Sequence, residues 1–125
     1  MFIQLKNHKV HVFAKADIDK NKKTIFFIPG AGMDHRVVSM MYVDKILKDY
    51  NVLGIDLPGH GYTTGPIYND VESHSLFCIE LIKKLRLNQI IFMGHSWGGL
   101  ISLDLSTRYK NLMTVCMNTG YPFIV

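Results

Sequence analysis

Short apolar runs alternate along this chain with longer amphipathic stretches, and turn-forming residues separate the two. Continuous apolar runs of about four to eight residues are typical of buried strands, whereas apolar positions three and four apart are typical of helices. The pattern predicts strands at 2–6, 9–15, 24–28, 51–55, 90–94 and 112–117, with the first two paired antiparallel through Asn7-His8. Helices are predicted at 36–49, 69–85 and 97–109. This alternation predicts an α/β fold: a mostly parallel sheet flanked by helices on both faces.

Two of the predicted helices carry further signals. Asn69, with Glu72 three residues later, has the form of a capping box, so the second helix is predicted to begin there. Its apolar face carries Val71, His74, Ser75, Cys78, Leu81, Ile82 and Leu85. In the helix at 36–49 the same spacing falls on Met40, Val43, Leu47 and Tyr50.

Composition narrows the class of protein. The chain has 125 residues, 48% of them hydrophobic and 19% charged, as expected for one modest globular core. No apolar run approaches the roughly 20 residues that span a bilayer, and the first residues lack the apolar stretch of a secretory signal. Both cysteines, Cys78 and Cys116, fall on apolar positions and are predicted to be core residues. A cytoplasmic location is therefore expected.

The net charge of +4 does not indicate nucleic-acid binding. The densest basic cluster, Lys20 with Lys22 and Lys23, lies in a polar turn, and no basic face is interleaved with aromatic residues. The histidines have no ligand spacing with cysteine or carboxylate partners, so neither a metal nor a cofactor is expected.

The strongest motif for chemistry is Gly94-His95-Ser96-Trp97-Gly98, which joins a predicted buried strand to a predicted helix. A Gly-x-Ser-x-Gly in that context is a nucleophile elbow, in which glycine tolerates the crowding beside the serine. A third glycine, Gly99, lets the helix lie close to the sheet. Ser96 is therefore the candidate nucleophile, and the Trp97 N–H at the helix start is a candidate oxyanion donor.

A second motif, Pro29-Gly30-Ala31-Gly32, directly follows the predicted central strand. Alone it is no more than a glycine-rich turn. Paired with the elbow, it offers the second backbone N–H that an oxyanion hole needs, because Gly30 and Gly32 allow the backbone to approach a substrate oxygen closely. The Ala31 N–H is the better candidate donor.

Together these motifs resemble the N-terminal half of the α/β-hydrolase fold superfamily. Three segments carry the resemblance, in the family's order: Pro-Gly-Ala-Gly-Met-Asp-His at 29–35, Asp-Leu-Pro-Gly-His-Gly at 56–61, and Gly-His-Ser-Trp-Gly-Gly at 94–99. In this family the first loop more often begins His-Gly, and here Pro29 replaces the histidine. A serine at the elbow argues against the haloalkane dehalogenase and epoxide hydrolase branches, which carry aspartate there.

The resemblance implies supporting rather than catalytic roles for the other polar residues near these motifs. His60 belongs to a structural turn that lines the pocket wall, Asp34 and His35 orient the oxyanion loop, and His95 lies beneath the serine. Trp97 packs at the helix start, and Asp104 is too far along the helix to orient a base. The remaining histidines, His8, His11 and His74, are expected on the surface or on a helix face.

The base and the acid of a serine hydrolase are not found after Ser96. The family order is Ser, then Asp or Glu, then His, but no histidine follows Ser96 and the only later acid is Asp104. The resemblance therefore implies that residues 1–125 are the N-terminal part of a single domain, cut after about the sixth strand, with the cap and the C-terminal strands absent. The strand at 112–117 would then be an uncovered edge, through which the chain is expected to self-associate.

The function predicted from the sequence is a serine hydrolase acting on a small acyl substrate. Ester, thioester, amide or C–C bonds would be cleaved through an acyl-enzyme on Ser96, and the chain alone is expected to be inactive without its base. The alternative is a non-catalytic half-domain used for interaction.

Overall fold

The computed structural model describes residues 1–14, 16–39 and 48–117, together with the backbone of 123–124. These residues contain strands β1 (Phe2–Gln4), β2 (Lys9–Ala14), β3 (Lys23–Ile28), β4 (Tyr50–Ile55), β5 (Ile90–His95), β6 (Met113–Met117) and β7 (Phe123–Ile124). The helices are α1 (Arg36–Ser39), α2 (Val71–Leu85) and α3 (Trp97–Arg108).

The strands form one sheet in the order β1-β2-β4-β3-β5-β6-β7. The four central strands β4, β3, β5 and β6 are parallel, and antiparallel strands lie at both edges. Alternate residues of β3 lie on opposite faces of the sheet. Phe26 and Ile28 belong to the core shared with α2 and α3, whereas Ile25 and Phe27 pack with Val38 of α1 on the other face. The predicted α/β fold, with helices on both faces, is confirmed.

Helix α2 begins one residue later than the capping box indicates. The cap is Asp70, whose extended backbone lets its carboxylate accept a 2.7 Å hydrogen bond from the Ser73 N–H. This bond also lowers the pKa of the Asp70 carboxyl below its ordinary value. The choice of Asn69 as cap is therefore wrong, although the predicted apolar face of the helix is confirmed, with His74, Ser75, Cys78, Leu81 and Ile82 all buried.

Two other predicted boundaries change. Tyr50, assigned above to the end of a helix, is the first residue of β4, because Lys23 and Thr24 of β3 pair with Tyr50 and Asn51. The predicted helix at 36–49 is borne out for α1, and its continuation over 40–47 lies outside the described residues. Its predicted end is wrong, because Lys48 and Asp49 form a turn before β4. Cys78 and Cys116 are buried free thiols, as predicted, and burial raises the pKa of both.

The edge expected to be uncovered is partly covered by the chain itself. Residues Val115 and Cys116 of β6 pair antiparallel with Ile124 and Phe123 of β7, a short strand that the sequence did not predict. Leu112 and Met113 remain exposed at the start of β6. Self-association through 112–117 remains a prediction, restricted to this exposed end of the strand. Of the helices described, none has the length and apolar character needed to cross a membrane.

Candidate active site

The sheet register brings the two glycine-containing motifs together. Strands β3 and β5 are parallel neighbours, and Ile28 at the end of β3 pairs with Gly94 at the end of β5. The carboxyl ends of parallel strands lie at the same edge of the sheet, so the loop after β3 and the turn after β5 are adjacent. These are the segments expected to supply an oxyanion hole and a nucleophile.

Ser96 has a left-handed φ at the turn between β5 and α3. Its φ is 54° and its ψ −117°, a combination that a residue with a side chain adopts only under strain of about 1–3 kcal/mol. It directly precedes α3, and its side chain makes no capping hydrogen bond. Its backbone N–H donates to the Met117 carbonyl oxygen at 2.8 Å, which ties the turn to β6. A half-buried hydroxyl is thus held at the N-terminus of a twelve-residue helix.

The glycines on both sides of Ser96 permit this turn. A Cβ on Gly98 would lie 2.0 Å from the Ile28 carbonyl oxygen and 2.5 Å from that of Pro29. A Cβ on Gly94 would lie 2.1 Å from the Gly98 carbonyl oxygen. Helix α3 therefore begins in direct backbone contact with the end of β3. The neighbouring Gly99 is also buried, and its carbonyl oxygen accepts a hydrogen bond from the Cys116 thiol.

The loop after β3 contacts the elbow at Gly30. A Cβ at this position would lie 3.1 Å from Nδ1 of His95, 3.2 Å from the His95 carbonyl oxygen and 3.4 Å from Cβ of Ser96. The His95 ring therefore lies beside this loop, next to the serine. The Met33 N–H donates to the Gly30 carbonyl oxygen at 3.1 Å and closes the turn.

His60 holds the same loop from the other side. Its Nε2 accepts a 3.0 Å hydrogen bond from the Gly32 N–H, and its Nδ1 lies 3.0 Å from the Pro58 carbonyl oxygen. An imidazole that accepts at Nε2 and donates at Nδ1 is neutral and has its proton on Nδ1. Although Pro29 replaces the family's histidine, the loop is thus anchored by His60.

The elbow and the loop after β3 both contain backbone N–H groups that remain available. In the part of the chain that the structure describes, the N–H groups of Ala31 and Trp97 donate no hydrogen bond. Trp97 is the first residue of α3, so its N–H points out of the helix with the positive end of the peptide dipoles.

Other polar residues near the motifs are held by partners of their own. Asp104 accepts a 2.7 Å hydrogen bond from Nε of Arg108, which lowers the pKa of the carboxyl. Asp34 is hydrogen-bonded to Arg36, whose guanidinium holds the pKa of Asp34 well below its usual range. The half-buried Trp97 ring meets the edge of His74 at 5.9 Å between centroids.

Of the three histidines expected on the surface or on a helix face, His8 and His74 are buried. His8 packs against Tyr68 and Phe77, and its Nε2 lies 2.8 Å from the Pro66 carbonyl oxygen. His74 lies on the buried face of α2, with Nδ1 2.7 Å from the Asp70 carbonyl oxygen. The prediction is wrong for His8, whereas His74 lies on the apolar face of the helix, as its spacing indicates. Main-chain oxygens satisfy both rings in the interior.

Sequence reasoning missed a cluster on the far side of the loop. His11 of β2 and His35, just before α1, both direct Nδ1 at the carboxylate of Asp56, which is fully buried at the end of β4. Because β3 and β4 are parallel neighbours, the meeting of His35 with Asp56 could have been anticipated. The approach of His11 depends on the antiparallel register of β2 with β4, which no local motif indicates.

Residues 23–122 match the sequence model of the alpha/beta hydrolase fold family. This chain belongs to the α/β-hydrolase fold family. The matched segment runs from the first residue of β3 to the residue before β7 and contains the elbow, the loop after β3 and the Asp56–Gly61 turn.

Relatives of this α/β-hydrolase chain include enzymes with different names. Bifunctional epoxide hydrolase 2 of Sus scrofa is 29% identical over 80 residues, which are 60% of this chain and 14% of that protein. The (E)-2-((N-methylformamido)methylene)succinate hydrolase of Acinetobacter baylyi is 28% identical over 114 residues, 89% of this chain and 41% of that protein. The chain therefore spans less than half the length of these relatives.

Solved structures agree with the fold. MGS-M2, an alpha/beta hydrolase enzyme from a deep-sea metagenome library of the Medee basin, superimposes with a TM-score of 0.82 at 17% identity. The superposition covers 93% of this chain and 43% of that one. At this identity the likeness concerns the α/β-hydrolase fold alone.

Proposed function

We propose that this α/β-hydrolase chain carries the nucleophile and the oxyanion hole of a serine hydrolase. In the proposed reaction, Oγ of Ser96 attacks the carbonyl carbon of an ester, thioester, amide or activated ketone. The hydroxyl proton passes through a base to the leaving group as the bond to that group breaks, and an acyl-enzyme forms on Ser96. Water then attacks the acyl carbon, releases the acid and restores the hydroxyl. The observation that carries the proposal is the strained backbone of Ser96 at the start of α3, beside the loop that contains Ala31.

The N–H groups of Trp97 and Ala31 take the role of oxyanion donors in this proposal. Each is a backbone donor at the end of a parallel strand, and the contact of Gly30 with Ser96 keeps the two segments side by side. Because His60 fixes Gly32, the Ala31 peptide is oriented before a substrate arrives. Donors that are already oriented lower a barrier without reorganising during the reaction.

Position 96 favours acyl transfer over epoxide opening. The relatives include proteins named epoxide hydrolases and a hydrolase of a succinate derivative. The family resemblance places aspartate at the elbow of the epoxide hydrolase branch, whereas this chain has a serine. We therefore infer an acyl substrate, with the epoxide as the competing substrate class in the tests below.

Among the described residues, we assign no base to Ser96. Five of the six histidines have a ring nitrogen within hydrogen-bonding distance of a group other than Ser96: His8, His11, His35, His60 and His74. We propose that the chain by itself reacts slowly for this reason. The non-catalytic interaction unit remains the alternative, and it predicts no reactivity at Ser96 at all.

Labelling with a fluorophosphonate distinguishes the serine hydrolase from the non-catalytic interaction unit. Intact-mass and peptide mass spectrometry would follow the adduct at Ser96 with and without added imidazole, which can take the hydroxyl proton. We expect slow labelling at residue 96 alone, and an increase of at least about tenfold when imidazole acts as the base. Ser96→Ala should abolish the adduct. Ser106→Ala, on the same helix, should leave labelling unchanged.

Three outcomes of these experiments would contradict different parts of the proposal. Rapid labelling without imidazole would contradict the proposed lack of a base, while keeping Ser96 as nucleophile. Labelling of other serines, or none at residue 96 in the presence of imidazole, would contradict the serine hydrolase proposal and favour the interaction unit. Turnover of a styrene oxide probe in preference to a phenyl ester would overturn the substrate class.

A further inference from the structure

A buried cluster of two imidazoles and a carboxylate lies apart from Ser96. His11 comes from β2, His35 from the end of the loop after β3, and Asp56 from the end of β4. The Asp56 side chain is fully buried, and the side chains of His11 and His35 are 14% and 11% exposed. Three segments distant in sequence thus place metal-binding groups at one point.

The carboxylate of Asp56 is oriented by the main chain. Its Oδ1 accepts from the His35 N–H at 2.7 Å, and its Oδ2 accepts from the Tyr62 N–H at 2.9 Å. One lone pair of each oxygen is therefore engaged by a backbone donor. Such bonds behind a carboxylate are what orients a metal ligand in proteins. The other lone pairs face the two histidines.

Both imidazoles direct Nδ1 to this carboxylate. His11 Nδ1 lies 3.0 Å from Oδ2, and His35 Nδ1 lies 2.9 Å from each oxygen. All three candidate ligand atoms lie within 4.8 Å of one another. Ligands at about 2.1 Å from a tetrahedral Zn²⁺ are roughly 3.4 Å apart, so each imidazole–carboxylate distance would have to lengthen by about half an ångström.

The donor set favours a first-row transition ion over Mg²⁺ or Ca²⁺. Two neutral imidazoles and one carboxylate suit Zn²⁺, whereas the hard cations require mostly oxygen ligands. Binding would move each imidazole proton from Nδ1 to Nε2, which leaves the ring neutral and its Nδ1 lone pair on the metal. The positive ion would also neutralise a carboxylate that is otherwise buried with its charge.

We propose that His11, His35 and Asp56 form a divalent transition-metal site with Zn²⁺ as its ligand, completed by water. The ion would join β2, β4 and the loop after β3, and would hold the carboxyl end of that loop. This inference does not depend on the chemistry of Ser96, since none of the three residues belongs to the proposed nucleophile or oxyanion donors.

The test uses protein purified without a histidine tag. Isothermal titration with Zn²⁺ at neutral pH should give one ion per chain, and Co²⁺ should give the visible absorption of a four-coordinate site without thiolate charge transfer. His11→Gln should weaken Zn²⁺ binding by at least about tenfold. The matched control is His8→Gln, a buried histidine outside the cluster, which should bind like the wild type. Circular dichroism of each variant verifies the fold.

Several results would overturn the site. Absence of Zn²⁺ and Co²⁺ binding by the folded wild-type chain would show that the cluster is held by hydrogen bonds alone. Equal affinity in folded His11→Gln, or thiolate charge transfer in the Co²⁺ spectrum, would place the ion elsewhere. Should His11→Gln not fold, His35→Gln and the Co²⁺ spectrum of the wild type decide the question.

Discussion

Replacing Gly98 by alanine should lower the free energy of unfolding by about 3 kcal/mol or more. Two effects of opposite sign compete at this position. In a helix, alanine is favoured over glycine by about 1 kcal/mol. The new Cβ, however, would lie 2.0 Å from the Ile28 carbonyl oxygen, so α3 would have to move away from β3. The nearest atoms, the carbonyl oxygens of Ile28 and Pro29, belong to the main chain and cannot rotate aside. The clash therefore outweighs the higher helix propensity of alanine.

Urea denaturation of Gly98→Ala and of a control, Gly32→Ala, measures this effect. Gly32 has a φ of 76° and nothing within 4 Å of an added Cβ, so alanine there costs only the left-handed strain of about 1–2 kcal/mol. A Gly98→Ala protein as stable as the wild type, or more stable, would mean that α3 does not begin against β3.

Asp56→Ala is the second change with a large expected effect, a loss of at least about 3 kcal/mol in the free energy of unfolding. The fully buried carboxylate accepts from the N–H groups of His35 and Tyr62 and from two imidazoles. Alanine would leave these donors without an acceptor in the interior, and an unsatisfied buried donor costs about 1–3 kcal/mol.

Thermal and urea unfolding of Asp56→Ala, compared with Asp17→Ala at an exposed position, would check this. The control should stay within about 0.5 kcal/mol of the wild type. Asp56→Asn retains one acceptor oxygen and should fall between the wild type and Asp56→Ala. Equal stability of Asp56→Ala and Asp17→Ala would show that the cluster contributes nothing to the fold.

The parts of this molecule that the sequence could predict are those encoded locally. Strand β3 is a continuous apolar run because both of its faces are buried. It can therefore be predicted as a strand without knowing which strands pair with it. The elbow is also encoded locally. Gly94, Ser96 and Gly98 lie within five residues, and their spacing alone identifies the tight turn between strand and helix. The apolar face of α2 follows from helical spacing alone.

The parts that it could not predict depend on register or on backbone angles. His11 is 45 residues from Asp56, and only the pairing of β2 with β4 brings them together. Asn69 and Asp70 are both good capping residues, and the extended backbone of Asp70 decides between them. His8 is polar by type, yet a main-chain oxygen allows its burial.

A crystal structure of the chain phosphonylated in the presence of imidazole would test the central claim most directly. We expect the phosphorus on Oγ of Ser96, with its double-bonded oxygen about 2.7–3.1 Å from the backbone nitrogens of both Trp97 and Ala31. An adduct whose oxygen reaches neither nitrogen, or a phosphonate carried by a different serine, would contradict the account.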